Sequence, residues 1–223
     1  MAFMIEGKEL GLLIERNKEQ FPELNSALIL AAAIWGVKAG ELSLIEVADV
    51  ISNKGAIKKK WMLRAENAFN GHARELYAEH ERLVEYLDAY LNWRVKQGQG
   101  VTNIGEYRGL DPESRLFLTT EGNPFAFSRR ELADGKVNMQ PVGMNAYFKR
   151  LIKNAGLADK GITYKVFRRS LATQMWRAGD RKTGVMKDIM KYLGLRSYSA
   201  LRKILASDKK HLHEMIKGIH KRI

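Results

Sequence analysis

The sequence contains no cysteine and only four prolines among its 223 residues. Without cysteine there is no disulfide framework, no thiol nucleophile and no thiolate metal site, which suits a cytoplasmic protein. The most apolar stretch, residues 27–37, is far shorter than the roughly 20 residues that a membrane-spanning helix needs. The first 13 residues include three charged side chains and do not follow a signal-peptide pattern. We therefore expect a compact, mostly helical protein in the cytoplasm.

The positive charge is concentrated in the last part of the chain. Residues 160–223 hold 17 lysines and arginines against four acidic residues, which accounts for the whole net charge of +13. Residues 1–159 are electrically balanced. Such a concentration of positive charge in one segment indicates a polyanionic partner, most often a nucleic acid. A solvated basic face without a partner is the alternative.

Hydrophobic periodicity predicts a mainly helical architecture with one small sheet. The predicted helices begin at Glu9, at Asn25 or Ser26, and at residues 41, 79, 142, 166, 185, 199 and 209. Residues 50–51, 57–63 and 74–77, joined by turns at residues 53–55 and 70–71, predict a three-stranded antiparallel sheet. The four tryptophans lie in apolar patterns, so we expect them in the core.

Five short motifs occur in a particular order and spacing. They are Gly36-Val37-Lys38-Ala39-Gly40-Glu41-Leu42, Leu116-Phe117-Leu118 with Gly122-Asn123-Pro124, Phe148-Lys149-Arg150-Leu151, Lys165-Val166-Phe167-Arg168-Arg169, and Tyr192-Leu193-Gly194-Leu195. Together they resemble the catalytic domain of the tyrosine recombinases, the phage-integrase family. The resemblance covers residues 22–205. It implies an N-terminal helix at residues 1–21, an integrase-like catalytic domain, and a C-terminal helix at residues 206–223.

The resemblance also implies positions for the catalytic groups. In that family a tyrosine attacks a DNA phosphodiester, two arginines stabilise the transition-state charge, and a lysine and histidines transfer protons. Here Lys38 takes the place of the first arginine, Lys165 that of the box histidine, and Arg168 matches the second arginine. Positive charge is thus retained at three phosphate-facing positions, although a lysine lacks the bidentate geometry of arginine.

The groups that attack phosphorus and transfer protons are missing. Ile204 stands where the family has its nucleophilic tyrosine, and Leu195 replaces the later histidine. The turn at residues 65–73 contains no lysine, and Lys60 and Arg64 are the cations noted before it. Two phenols lie close in sequence, Tyr198 and Tyr192, six and twelve residues before Ile204. On a helix, six residues place Tyr198 on a different side from Ile204.

These departures indicate a protein that binds double-stranded DNA without cutting it, in a regulatory or accessory role. The residues expected to contact DNA are Lys38, Lys165, Arg168, Arg169, Arg196, Arg202 and Lys203. One alternative is an active site-specific recombinase or integrase of a mobile element that uses Tyr198 as a displaced nucleophile. Another is an RNA-binding or scaffold protein that keeps only the fold. With about 21 residues before the matching region, a separate N-terminal clamp domain is not expected.

No cofactor, metal or membrane partner is expected. The pair His211 and His213 has no third ligand at a helical spacing. Glu41 and Asp49 could form an acid pair, but the resemblance makes them structural supports of the first motif. An apolar stripe near the C-terminus either packs on the chain's own body or is exchanged between protomers, which would give self-association: Leu212, Met215, Ile216, Ile219 and Ile223. The resemblance implies a prokaryotic cytoplasm or nucleoid.

Overall fold

The computed structural model describes residues 4–131, 135, 137–180 and 182–205. Within them the chain is mainly helical. The α-helices are α1 Gly7–Glu15, α2 Pro22–Trp35, α3 Ala39–Leu44, α4 Val47–Val50, α5 Glu81–Lys96, α6 Val142–Asn154, α7 Tyr164–Ala178, α8 Thr183–Leu193 and α9 Tyr198–Leu205. The strands are β1 Lys60–Leu63, β2 Arg74–Tyr77, β3 Ser128–Glu131 and β4 Val137–Gln140. The predicted helix at residues 209–219, its apolar stripe and the two histidines lie outside the described residues.

Helix α2 lies at the centre of the fold because nearly all of its side chains are apolar and buried. The predicted start at Asn25 or Ser26 is wrong. The helix begins at Pro22, whose fixed φ suits the first helical position. Asn25 lies within the first turns and donates hydrogen bonds to the carbonyls of Asn17 and Gln20. Its amide therefore stabilises the loop before the helix instead of capping the helix.

The predicted antiparallel sheet is confirmed in its second and third segments. Strands β1 and β2 pair in antiparallel register, with Trp61 opposite Leu76. The first predicted segment contributes only an isolated bridge between Ile51 and Ile57, because the residues before it form helix α4. That short helix begins where Asp49 accepts a hydrogen bond from the backbone N–H of Glu46 at 2.9 Å.

A second antiparallel pair, formed by β3 and β4, was not predicted. Its register places Ser128 opposite Gln140 and Glu131 opposite Val137. All but one of its eight residues are exposed, so the alternating apolar pattern that identifies a half-buried strand is absent from the sequence. This hairpin lies directly before α6 and borders the site described below.

Two apolar cores hold the helices together. The large core contains α2 together with side chains from α1, α5, α6 and the front of α7. Of the four tryptophans expected in the core, Trp35 and Trp61 are buried in it, and their rings meet edge to face at 4.9 Å. Trp93 and Trp176 are only half-buried, at the edges of the two cores. A smaller core, made by Ala172, Ile189, Leu193 and Leu201, packs α8 and α9 against α7. None of the helices in the described part is long and apolar enough to cross a membrane.

Candidate functional site

Gly36 determines how the chain passes from α2 to α3. Its φ of +58° lies in the left-handed region that glycine adopts most readily. An added Cβ would lie 2.6 Å from a methyl carbon of Leu171 and 2.7 Å from one of Leu193. Helices α7 and α8 therefore pack directly against this turn. The turn carries Lys38, the residue that precedes α3.

A buried ion pair fixes the turn between β1 and β2 against α3. The guanidinium of Arg74 donates to both carboxylate oxygens of Glu41, at 2.8 and 2.7 Å. Glu41 also accepts hydrogen bonds from the backbone N–H of Lys38, at 2.7 Å, and of Phe69, at 3.1 Å. Burial opposes ionisation of this carboxyl, but the hydrogen bonds and charge of Arg74 outweigh it and lower the pKa of Glu41. Glu41 therefore supports the site structurally, as predicted.

Asp49 has the same kind of structural role. Its carboxylate accepts hydrogen bonds from the backbone of Glu46 and from the side chain of Arg64. Lys60 and Arg64, the two cations noted before the turn between β1 and β2, are each paired with a carboxylate. Arg64 contacts Asp49 at 2.9 Å, and Lys60 contacts Glu75 at 2.6 Å.

Arg168 lies near the beginning of α7 and forms hydrogen bonds to the ends of α2 and α8. It is 8% exposed, and its guanidinium donates one hydrogen bond to the carbonyl of Gly36 at 2.8 Å and another to the carbonyl of Leu193. A guanidinium has five N–H groups, so three have no acceptor among the described residues. Burial lowers the pKa of Arg168 to about 10, partly offset by the charge of Glu41. The side chain therefore remains a cation at neutral pH.

Phe69 lies against two of the cations of the site, Lys38 and Arg168. Its ring centroid is 3.1 Å from Nζ of Lys38 and 5.5 Å from Cζ of Arg168. Burial, and then the charge of Arg168, lower the pKa of Lys38. Attraction between a cation and an aromatic face holds the lysine in place. Phe69 belongs to the turn where the resemblance would place a lysine, and sequence reasoning did not identify it.

One cavity of about 620 Å³ is bordered by Lys38, Glu41, Phe69 and Arg168. It lies between the start of α3, the start of α7, the turn between β1 and β2, the β3–β4 hairpin and the end of α9. Its charged lining includes four of the predicted DNA-contacting residues, namely Lys38, Lys165, Arg168 and Arg169. The remaining lining is largely aromatic, aliphatic or amide-bearing, and it includes Phe69, Phe127, Asn138, Tyr164 and Ile204.

No protein-family model matches the chain, and no curated protein sequence is similar to it. Solved structures do match. The XerA recombinase aligns with a TM-score of 0.69 and 21% identity, covering 98% of this chain and 65% of that one. XerH site-specific recombinase bound to its difH substrate gives a TM-score of 0.62 and 16% identity, covering 96% and 52%. The chain has the fold of a tyrosine-recombinase catalytic domain.

A lambda integrase dimer bound to a COC′ core site is also similar, with a TM-score of 0.53 and 15% identity. It covers 91% of this chain and 47% of the integrase chain. The present chain thus spans 65% or less of the length of these three proteins. The predicted fold class, mainly helical with a small antiparallel sheet, is confirmed, apart from the number of sheets and strands. Function has to be argued from the site itself, since one fold can carry many activities.

Ile204 lines the cavity of this recombinase fold, whereas Tyr198 does not. Tyr198 is 46% exposed at the start of α9. The hydroxyl of Tyr192 donates to the carbonyl of Ile34 at 3.0 Å, and burial raises its pKa to about 12. Neither Tyr192 nor Tyr198, the two phenols near Ile204 in sequence, therefore lines the cavity.

Tyr164 is a phenol that lines the cavity and that sequence reasoning did not consider. Its hydroxyl donates to the carbonyl of Val37 at 3.0 Å, and burial strongly raises its pKa. A buried phenol that keeps its proton is a poor nucleophile. Its position at the first turn of α7 instead ties that helix to the chain just before Lys38.

The other predicted DNA-contacting residues are more widely distributed. Arg196 is exposed and donates to the carbonyl of Asn70 at 2.5 Å, which joins the segment after α8 to the turn between β1 and β2. Arg202 and Lys203 are exposed on α9 and do not line the cavity. Leu195 is half-buried against the smaller core. Within the described ranges, no three His, Asp or Glu side chains form a group that could hold a metal ion.

Proposed function

We propose that this protein binds duplex DNA through its phosphates and does not cut it, acting as a regulatory or accessory factor. One observation carries the proposal. The cations Lys38, Lys165 and Arg168 border the same cavity as Ile204, which occupies the position that the resemblance assigns to the nucleophile. The site therefore combines phosphate-binding groups with a hydrocarbon side chain in place of an attacking oxygen.

Phosphate binding follows from the chemistry of the cations. Arg168 retains three N–H groups beyond those used by its two carbonyl acceptors. Charge-assisted hydrogen bonds from arginine or lysine to phosphate are stronger than neutral ones. Lys165 is exposed one turn before Arg169, so it can reach a ligand at the mouth of the cavity. The basic segment from residue 160 onward adds a longer-range attraction.

Strand cutting requires more than phosphate binding. An attacking atom must lie about 3 to 3.5 Å from phosphorus and in line with the leaving oxygen. The phenol that lines the cavity, Tyr164, is bound to the carbonyl of Val37, and Tyr198 lies outside the cavity. The turn between β1 and β2 presents Phe69 where a proton-donating lysine is implied. Among the described residues, no phenol that lines the cavity is free to attack, and Phe69 stands in the turn where the resemblance implies the proton-donating lysine.

The proposal is tested by combining a binding measurement with a trapping assay. If the basic surface neutralises about 5 to 8 phosphates, the logarithm of the affinity should fall against the logarithm of salt concentration with a slope of about −4 to −7. Incubation with nicked suicide duplexes should yield no protein–DNA adduct that survives denaturation. Affinity for duplex DNA that does not depend on salt would contradict the binding part of the proposal.

The trapping assay also separates the alternatives. A denaturation-resistant adduct that peptide mapping assigns to Tyr198, and that Tyr198→Phe abolishes, would establish an active recombinase with a displaced nucleophile. Competition between duplex DNA and duplex RNA of the same sequence addresses the RNA-binding alternative. We expect DNA to compete better. No observation in the cavity favours either alternative over DNA binding without cleavage.

A further inference from the structure

The cavity extends well beyond the cations that phosphate binding requires. Its far side is formed by the β3–β4 hairpin and the start of α6. A Cβ added at Gly40 would lie 3.7 Å both from Cε1 of Phe127 and from Cγ of Pro141. The residues that flank β3 and β4 therefore approach the first turn of α3, next to Lys38. The cations and the hairpin therefore border the same open cavity.

Besides the buried Tyr164, two aromatic rings that are at least partly open to solvent border this cavity. Phe69 is 45% exposed beside the cations, and Phe127 is half-buried directly before β3. Met139 is 53% exposed and also lines the cavity. Open aromatic surface beside positive charge is the arrangement that proteins use to stack nucleobases while holding the attached phosphate.

Three amide side chains line the same side, namely Asn138, Gln140 and Asn145. None of them has a side-chain hydrogen-bond partner among the described residues. Asparagine and glutamine offer both donors and acceptors, which matches the mixed donor and acceptor edge of a nucleobase. A simple phosphate or a carboxylate would leave these amides unused. The volume of about 620 Å³ is also within the range of small-molecule sites, about 300 to 1,000 Å³.

We propose that the cavity takes one unpaired nucleotide, with its phosphate on Lys38 and Arg168 and its base against Phe69 and Phe127, where Asn138 reads the base edge. The inference rests on the proposed function, because it uses the same phosphate site. A base inside a duplex has both faces covered and its pairing edge occupied, so it cannot enter. The nucleotide comes either from a DNA strand in which it is extruded or from a free mononucleotide.

The test compares three DNAs of the same flanking sequence. One is fully paired, one carries a single unpaired 2-aminopurine, and one carries an abasic site at that position. Base–aromatic stacking predicts that the unpaired 2-aminopurine raises the affinity about 10-fold over the fully paired duplex. Its fluorescence should fall on binding because the base stacks on the rings. The abasic DNA should gain nothing, since flexibility without a base does not fill the cavity.

Free nucleotides distinguish the two sources. Deoxyadenosine monophosphate and deoxyribose phosphate are added as competitors against the 2-aminopurine DNA. If deoxyadenosine monophosphate displaces the DNA and deoxyribose phosphate does not, the site binds free nucleotides as well as DNA. Preference for the unpaired base without competition by either assigns it to an extruded nucleotide within a strand.

Variants connect the effect to the hairpin. Phe127→Ala and Asn138→Ala should each remove most of the preference for the unpaired base while leaving affinity for fully paired DNA unchanged. The matched controls are Phe21→Ala, an exposed aromatic that lines a different cavity, and Asn103→Ala in an exposed loop. Both controls should keep the preference. Asn138 is exposed on a strand, so its variant tests the inference even if Phe127→Ala lowers stability.

The outcomes separate this inference from the proposed function. If none of the three DNAs binds, the proposed function is wrong. If all three bind equally, or if the preference survives in both hairpin variants, DNA binding stands and the nucleotide site is refuted. A preference that Lys38→Gln weakens for every DNA, and that Asn138→Ala weakens only for the unpaired base, is the result expected.

Discussion

Replacing Arg168 by methionine separates the structural and the phosphate-binding roles of this side chain. Methionine keeps much of the volume and removes the charge and all five N–H groups. The change leaves the carbonyls of Gly36 and Leu193 without their donor in a site where Arg168 itself is only 8% exposed. A comparison with Lys165→Met, an exposed cation on the same helix and at the same cavity, provides the matched control.

The magnitude follows from the two lost hydrogen bonds. Each buried carbonyl left without a partner costs about 1 to 3 kcal/mol. Removing a buried charge acts in the opposite direction, since the lowered pKa of Arg168 shows that burial disfavours its cationic form. We therefore expect the free energy of unfolding to fall by about 2 to 3 kcal/mol. Lys165→Met should change it by less than about 0.5 kcal/mol, because surface substitutions have small effects.

Urea denaturation followed by circular dichroism measures the stability, and fluorescence anisotropy with labelled duplex DNA measures the affinity under conditions where each variant is folded. Both variants should bind DNA more weakly, by about 1 to 3 kcal/mol, because each removes a charged phosphate donor. The two variants should therefore agree in affinity and differ in stability.

Two results would refute this reasoning. Unchanged stability of Arg168→Met would mean that the two carbonyl contacts contribute nothing to the fold. Unchanged DNA affinity of folded Arg168→Met would make Arg168 a purely structural cation that joins α2 to α8, and the phosphate site would have to lie elsewhere.

Three further changes test other parts of the site. Burial lowers the pKa of Lys38 below 10.5, and a bound phosphate favours the charged form of this lysine. DNA affinity, measured by anisotropy titration, should therefore fall as pH rises toward that pKa. Lys38→Arg should make this fall smaller. Gly36→Ala should cost about 2 to 3 kcal/mol in urea denaturation, against about 1 kcal/mol for Gly71→Ala, which has a similar φ but open space around it. Ile204→Tyr should still give no covalent adduct on denaturing gels, since the proton-transferring groups remain absent. An adduct from this single change would show that only the nucleophile was missing.

Much of the fold could be predicted because its signals are local. The apolar periodicity of α5, α6 and α8 and the glycines at helix ends depend only on neighbouring residues, and these helices lie where predicted, within a few residues. The order of the five motifs was enough to indicate the recombinase fold. Two predicted boundaries were wrong. At Asn25 the side-chain amide bonds to the loop before the helix, and at the first strand a local capping contact between Asp49 and Glu46 begins helix α4 instead.

The amino-acid sequence by itself determined the charge asymmetry, the helical framework, the cations at residues 38, 165 and 168, and the isoleucine at residue 204. Only the tertiary structure decided that Phe69 lies over Lys38, that Arg168 bonds two helix ends, and that the β3–β4 hairpin borders the same cavity. These contacts join segments far apart in the chain. Periodicity and motif spacing report the faces of single elements, whereas contacts between elements depend on how the whole chain packs around α2.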